Sequence, residues 1–214
     1  MPIDSHRKVV DNDAIKAGRQ VNIERFDAVD PTWIVGDSRD VKTLAGSDFR
    51  ADLLFSCPPY GNLEVYSDDP RDISNMSYAD FMGAYRTIIQ ESVDLLNDNR
   101  FAVFVVGDLR DKQGYYCNFV GDTVRAFQDA GLRLYNEAIF LNNISGLPLR
   151  TRGQFLSGRK LGKRHQNVLV FVKGNWKQAV EWCGDIQISL PDGMVVDDES
   201  MDDVQDEPSE GSGD

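Results

Sequence analysis

Cysteine and histidine are scarce in this chain: three thiols, Cys57, Cys117 and Cys183, and two imidazoles, His6 and His165, among 214 residues. Widely spaced thiols in odd number match neither a disulfide framework nor a zinc cluster. Two histidines argue against chemistry centred on a metal. No apolar run reaches the roughly 18 residues that a membrane-spanning helix needs. The start, Met1-Pro2-Ile3-Asp4-Ser5-His6, has no apolar signal core, so a cytoplasmic location is the expectation. Acidic side chains are missing from residues 138–180, where eight basic ones stand, while residues 197–214 hold nine acidic side chains and no basic one. The net charge of -12 therefore hides an acidic body and tail around one basic segment, and the basic segment is the part that suits a polyanion.

The chain is long enough for one domain with a real core. The segment 1–31 is polar and mixed in charge; a short helix around Asp13–Arg25 is predicted in it, with Pro31 as a stop. Thr32-Trp33-Ile34-Val35 reads as a strand ending at Gly36-Asp37. Ala51–Cys57 reads as a buried strand, because Leu53, Leu54 and Phe55 run without polar alternation. Ser77–Asn97 reads as a helix: Ser77 and Asp80 stand at capping-box spacing, and Phe81, Tyr85, Ile88, Ile89, Val93 and Leu96 recur at steps of three and four. Phe101–Val106 is predicted as a strand ending in Gly107-Asp108, and Asn118–Ala130 as a helix stopped by Gly131. Leu134–Leu141 and Asn167–Val172 read as two further strands, joined by a flexible basic loop. The expected organisation is an α/β domain over 32–191, with a disordered acidic tail over 192–214. Helices between buried strands imply a mostly parallel sheet, in which ligands bind beyond the carboxyl ends of strands. Gly36-Asp37, Cys57–Tyr60 and Gly107-Asp108 all stand at such ends, where Asp108 reads best as a turn or cap.

Pro58-Pro59-Tyr60 directly after a buried strand makes a rigid segment, since each proline fixes φ and lacks an N–H. Its carbonyls can accept hydrogen bonds from an exocyclic NH2, and the aromatic can stack on a planar base. The stretch Val35-Gly36-Asp37 … Ala51-Asp52-Leu53-Leu54-Phe55-Ser56-Cys57-Pro58-Pro59-Tyr60-Gly61-Asn62 resembles the N6-adenine and N4-cytosine DNA methyltransferases. Their catalytic pattern is Asp, Asn or Ser, then Pro-Pro, then an aromatic. His165–Lys173 is similar to a late strand of that family, and there is a general likeness to phage-borne methylase domains. The resemblance covers roughly 32–175. It implies a Rossmann-like class I methyltransferase fold, incomplete and limited to the later strands and helices of the sheet. It also implies S-adenosylmethionine as cofactor and DNA as substrate, with neither a membrane nor a metal involved.

Carried over residue by residue, the resemblance gives Cys57 and the Pro58 carbonyl the exocyclic amine, with Pro59 completing the rigid turn and Tyr60 stacking on a flipped base. Asp37 and Ser38 would lie near the cofactor. The small side chain before Pro58 puts cytosine N4 slightly ahead of adenine N6. Arg150, Arg152, Arg159, Lys160, Lys163 and Arg164, interleaved with glycines and Phe155, would track phosphates. Two departures stand out. Cys57 replaces Asp, Asn or Ser, and a thiol is a weak acceptor; a nucleophilic role for Cys57 lacks the Pro-Cys order and the Glu-Asn-Val segment of C5-cytosine methyltransferases. No Phe-x-Gly-x-Gly cofactor loop occurs, as though the chain began where a cofactor half would be finishing. An exposed apolar sheet edge follows, and with it a split enzyme in which a partner chain or second copy supplies the loop. The alternatives are a non-catalytic DNA-binding or regulatory subunit built on the same fold, and an enzyme acting on another amino substrate, such as RNA or protein glutamine.

Overall fold

A computed structural model describes residues 30–61, 63, 65–142 and 147–184, with the backbone alone for 147–150. The expected helix at 13–25 and the acidic tail over 192–214 lie outside the described residues. The elements in chain order are a short helix α1 (Val41–Ala45), β1 (Ala51–Ser56), α2 (Tyr78–Leu95), β2 (Leu96–Val106), α3 (Phe119–Asp129), β3 (Arg133–Leu141), α4 (Leu147–Gly158), β4 (His165–Lys173) and α5 (Trp176–Cys183). The fold is α/β, with one four-stranded sheet in the order β1-β2-β4-β3.

Local chemistry sets the main helix as its sequence predicts. Ser77 takes an extended conformation before α2, and its Oγ accepts from the Asp80 N–H while donating to the Asp80 carboxylate at 2.6 Å. That satisfies one of the orphan donors of the first turn. Phe81, Met82, Tyr85, Ile89, Val93 and Leu95 are the buried stripe. Lys42 fastens α1 to this helix through Asp94 at 2.7 Å. α2 passes into β2 without a loop; Leu96 is already extended, and Asn99 takes a left-handed φ of 57° where the register against β1 slips.

One face of the sheet carries the core. Ala102, Phe104 and Val106 of β2 share that face with Leu169 and Phe171 of β4, and all five are buried with α2 and α3. Phe127 of α3 stacks on Phe171 at 4.1 Å and meets the edge of Phe104 at 4.7 Å. The Tyr85 hydroxyl reaches Thr123 Oγ1 at 3.4 Å inside this cluster, and burial pushes its phenol well up from the ordinary range. The other face bears Leu53, Phe55, Phe101, Val103, Val105, Val168 and Val170. α5 covers only one end of it, where Tyr135 bridges Phe101 at 5.5 Å and Trp176 at 6.0 Å. β1 is an outer strand with no partner beyond it among the described residues, and Leu53 and Phe55 remain 56% and 64% exposed. The edge is apolar as expected, but the strand is not the buried one that Leu53, Leu54 and Phe55 led us to expect: of the three only Leu54 packs against the core, because no strand lies beyond β1 among the described residues.

Three further expectations are corrected. Thr32–Val35 is not a strand: none of the described residues pairs with it, and Trp33 and Val35 stand 86% and 98% exposed. An apolar run forms a strand only where a ladder satisfies its N–H and C=O groups. The sheet is not mostly parallel. β1 and β2 run parallel, but β4 inserts between β2 and β3 and is antiparallel to both; the order of elements along a chain does not say where a late strand inserts. The basic connection is not a flexible loop through its length, because residues 147–158 form α4. The single proline of α4, Pro148, sits in the first turn, where a missing N–H costs nothing.

Phe127→Ala removes the ring that joins the two middle strands to α3. It should lower unfolding free energy by about 3–5 kcal/mol, read as a drop in the denaturant midpoint.

Candidate active site

The β1–β2 ladder ends where Ser56 pairs with Phe104. Pro58 and Pro59 have no N–H to extend it, and Gly61 turns the chain with a left-handed φ of 58°. Cys57 is exposed, while Pro58, Pro59 and Tyr60 are half-buried. The Tyr60 side chain folds back over the sheet end. Its hydroxyl donates to the Val105 carbonyl at 3.3 Å and lies 3.5 Å from Cys57 Sγ. Its ring is tilted against Phe119 at 6.1 Å. A Cβ on Gly107 would sit 3.3 Å from the Tyr60 ring, so the bare backbone at Gly107 admits the aromatic. The motif and Gly107 are thus in contact, as their common place at strand ends predicts.

Asp37 does two things. Its carboxylate accepts from the Arg39 N–H at 2.9 Å, capping the turn Ser38–Asp40, and it clamps the Arg39 guanidinium at 2.6 Å. These side-chain and backbone hydrogen bonds hold its pKa down from 3.8 to about 2, so the group is ionised at neutral pH. Gly36, Asp37 and Ser38 form one wall of a cleft of about 450 Å³, and Pro59 of the motif also lines it. Val35, Ile73 and Ile88 supply its apolar lining, and Ser67, Asp69, Arg71 and Asp72 the rest of its polar rim. Asp69 repeats the arrangement of Asp37: it accepts from the Arg71 N–H at 2.8 Å and holds the guanidinium at 2.7 Å, again with a pKa lowered to about 2. Sequence reasoning passed over this second wall, though the Asp-x-Arg spacing at 37–39 and 69–71 was there to be seen. Asp72 secures the same loop by accepting from Ser74 Oγ at 2.7 Å and Ser67 Oγ at 2.9 Å.

The β3–β4 connection opens at the same end of the sheet, since Val106 pairs with Asn167 and Leu141 with His165. The six basic residues proposed for DNA have different environments. Arg159 follows α4 with a left-handed φ of 54° and donates to the Phe155 and Leu156 carbonyls at 2.9 and 2.8 Å, which caps the helix. Arg164 donates to the Asn142 carbonyl at 3.3 Å. Lys163 is half-buried beside a hollow of about 390 Å³ shared with Asp108, Arg110, Tyr116 and Gln154, and burial pushes its ammonium pKa down. Arg152 is exposed and Lys160 half-buried; the side chain of Arg150 lies outside the described residues. Asp108 caps α3, its Oδ1 accepting from the Phe119 N–H at 2.9 Å. Among the described residues no cluster of His, Cys, Asp and Glu could hold a metal ion, and no helix is long and apolar enough to cross a membrane.

No family model matches the chain, and no curated protein matches it by sequence. Among solved structures it is similar to a Thermus thermophilus protein described as a DNA modification methylase, in complex with S-adenosyl-L-methionine. The two are 19% identical with a TM-score of 0.47, over 66% of this chain and 54% of that one. It is also similar to the cytosine-N4-specific PvuII DNA methyltransferase, at 16% identity and a TM-score of 0.47, over 66% of this chain and 49% of that one. The complex of M1.HpyAVI with SAM matches at 13% identity and a TM-score of 0.42, over 65% and 51%. The chain thus spans about half the length of these proteins.

Because the folded pKa of Asp37 is depressed, its stabilising contribution is complete above 3.8 and is lost as pH falls toward about 2. A carboxyl NMR titration of Asp37 should show a midpoint near 2, and Arg39→Ala should return it toward 3.8.

Proposed function

We propose that this chain forms the target-base half of an S-adenosylmethionine-dependent methyltransferase that acts on an exocyclic amine of a DNA base. The observation that carries this reading is the rigid Cys57-Pro58-Pro59-Tyr60 turn at a strand end, with Pro59 lining the cleft that holds Asp37. The Pro58 carbonyl and Cys57 Sγ accept from the amine and fix its orientation, and the Tyr60 ring supplies a platform for the base. Pro59 and Pro58 contribute stiffness, which keeps these groups in place without reorganisation. Cytosine N4 is favoured slightly over adenine N6 by the small side chain at position 57.

The cleft suits the cofactor. An apolar lining of Val35, Ile73 and Ile88 accommodates a planar base, and the ionised Asp37 and Asp69 on the rim suit hydroxyl donors and positive charge. Asp37 and Ser38 are the residues we assign to it. When bound, S-adenosylmethionine supplies an activated methyl group. The absence of a Phe-x-Gly-x-Gly segment, together with the exposed Leu53 and Phe55 of β1, favours a complementary chain or second copy that supplies that loop and covers the edge. Loss of the same loop also favours the second reading, a non-catalytic DNA-binding subunit on this fold.

Calorimetric titration with S-adenosylmethionine separates them, run on the chain alone and on the chain with a complementary cofactor-half protein. Binding in either mixture, followed by transfer of labelled methyl to N4 of cytosine or N6 of adenine in duplex DNA, supports the enzyme; no binding in both supports the subunit. Tyr60→Ala should reduce methyl transfer at least about 100-fold, as misplacing a reacting group does. For DNA, Arg152→Ala with Lys160→Ala should weaken binding and reduce the slope of log affinity against log salt by about 1–2. An unchanged slope would remove these two side chains from the DNA-contacting surface.

A further inference from the structure

The hydrogen-bonding of Tyr60 bears on the unusual cysteine at the head of the motif. Val105 lies one residue beyond the last β1–β2 pairing, Ser56 with Phe104. The two prolines that follow Cys57 cannot donate to the Val105 carbonyl, and the Tyr60 hydroxyl does so from the side, at 3.3 Å. A phenol has one proton. A carbonyl only accepts, so that proton belongs to the Tyr60–Val105 bond. Cys57 Sγ is 3.5 Å from the same phenolic oxygen. With the phenol proton committed to Val105, the thiol is the donor in the second bond, and the order is Cys57 S–H to Tyr60 oxygen, then Tyr60 O–H to Val105 carbonyl.

We propose that the Tyr60 hydroxyl is a positioning group for Cys57, turning the thiol proton inward so that the sulfur lone pairs face the exposed side where an amine N–H would arrive. The inference rests on the methyltransferase reading for its purpose, though not for its geometry. A thiol is both a weak donor and a weak acceptor. Left to rotate, it meets an incoming N–H with its own proton part of the time. Held by Tyr60, it presents only lone pairs, which is the role that Asp, Asn or Ser fills in the family the motif resembles. The platform is stiff enough for this purpose. Gly107 lies directly beneath the Tyr60 ring and Phe119 borders it at 6.1 Å, so the hydroxyl has a fixed place above Val105. A phenylalanine at position 60 keeps the stacking surface and loses this function, which separates the ring from the hydroxyl.

The test uses Tyr60→Phe in the full chain and needs neither cofactor nor DNA. Alkylation of Cys57 by iodoacetamide at neutral pH, followed site by site by mass spectrometry, should quicken about 2- to 10-fold in the variant. The sulfur is released from the bond that holds its proton toward Tyr60, and the range corresponds to a hydrogen bond of ordinary strength. Cys117 and Cys183 serve as internal controls and should react as in the parent. Slower alkylation of Cys57 would mean that Tyr60 donates to the sulfur, and an unchanged rate would mean that no bond exists; either overturns the proposal. Should the variant fold poorly, the S–H stretching band of Cys57 in the parent chain, assigned by difference from Cys57→Ala, decides the matter. A band below the free-thiol frequency supports donation, and one at the free-thiol frequency refutes it. If both readouts agree with the proposal and no methyl transfer is found in any assembly, the functional reading fails while the positioning stands. If transfer is found, Tyr60→Phe should lower kcat several-fold with little change in KM for DNA, since the stacking ring is retained.

Discussion

Pro58 and Pro59 deprive the chain of two consecutive backbone donors at the point where β1 leaves its neighbour, and the geometry of the candidate site follows from that deficit. The ladder cannot continue past Ser56, so the carbonyl of Val105 takes its hydrogen bond from a side chain. Tyr60 supplies it, and in doing so is drawn across the end of the sheet onto Gly107 and Phe119. The same stiff turn sets Pro59 into the cleft beside Asp37. Local covalent constraint, more than burial, decides where the chemical groups stand, because Cys57 itself is exposed.

Around that turn, charge is arranged by short-range pairing. Asp37 and Asp69 each fold a guanidinium two residues ahead back onto their own carboxylate. Both are thereby held ionised, and neither needs a partner from elsewhere in the chain to stay so. The cleft rim keeps its negative groups in place at neutral pH, although the pairs are too exposed to add much to stability. On the other side of the sheet end, Arg159 and Arg164 are directed at backbone carbonyls. The basic segment therefore offers solvent fewer cations than its composition suggests, and the exposed Arg152 is the clearest of those that remain among the described residues.

Much of this was legible in the residues. The Ser77 cap and the stripe from Phe81 to Val93 rest on local rules, and local rules survive folding. The juxtaposition of Cys57–Tyr60 with Gly107 follows from where the strands end. What the sequence did not reveal depends on distant partners. Thr32–Val35 has the composition of a strand but, among the described residues, no ladder to join. The direction of β4 is set by its insertion between β2 and β3, which hydrophobic runs do not encode. The hydroxyl of Tyr60 was read only as part of an aromatic ring, because its acceptor, Val105, lies 45 residues away in the chain. Asp69 was missed for the opposite reason: its partner is so near that the pair looks like an ordinary surface turn.

The insertion of β4 has a consequence for how the molecule is made. Synthesis delivers β2 and then β3 before the strand that separates them. Until residue 173 has emerged, β2 has one open edge, β3 has no strand partner among the described residues, and Phe127 lacks the ring of Phe171 against which it stacks. Assembly of the sheet is thus a closing event set by the arrival of its last strand, and a nascent chain halted short of β4 carries α1 to α4 but not the strand that joins β2 to β3.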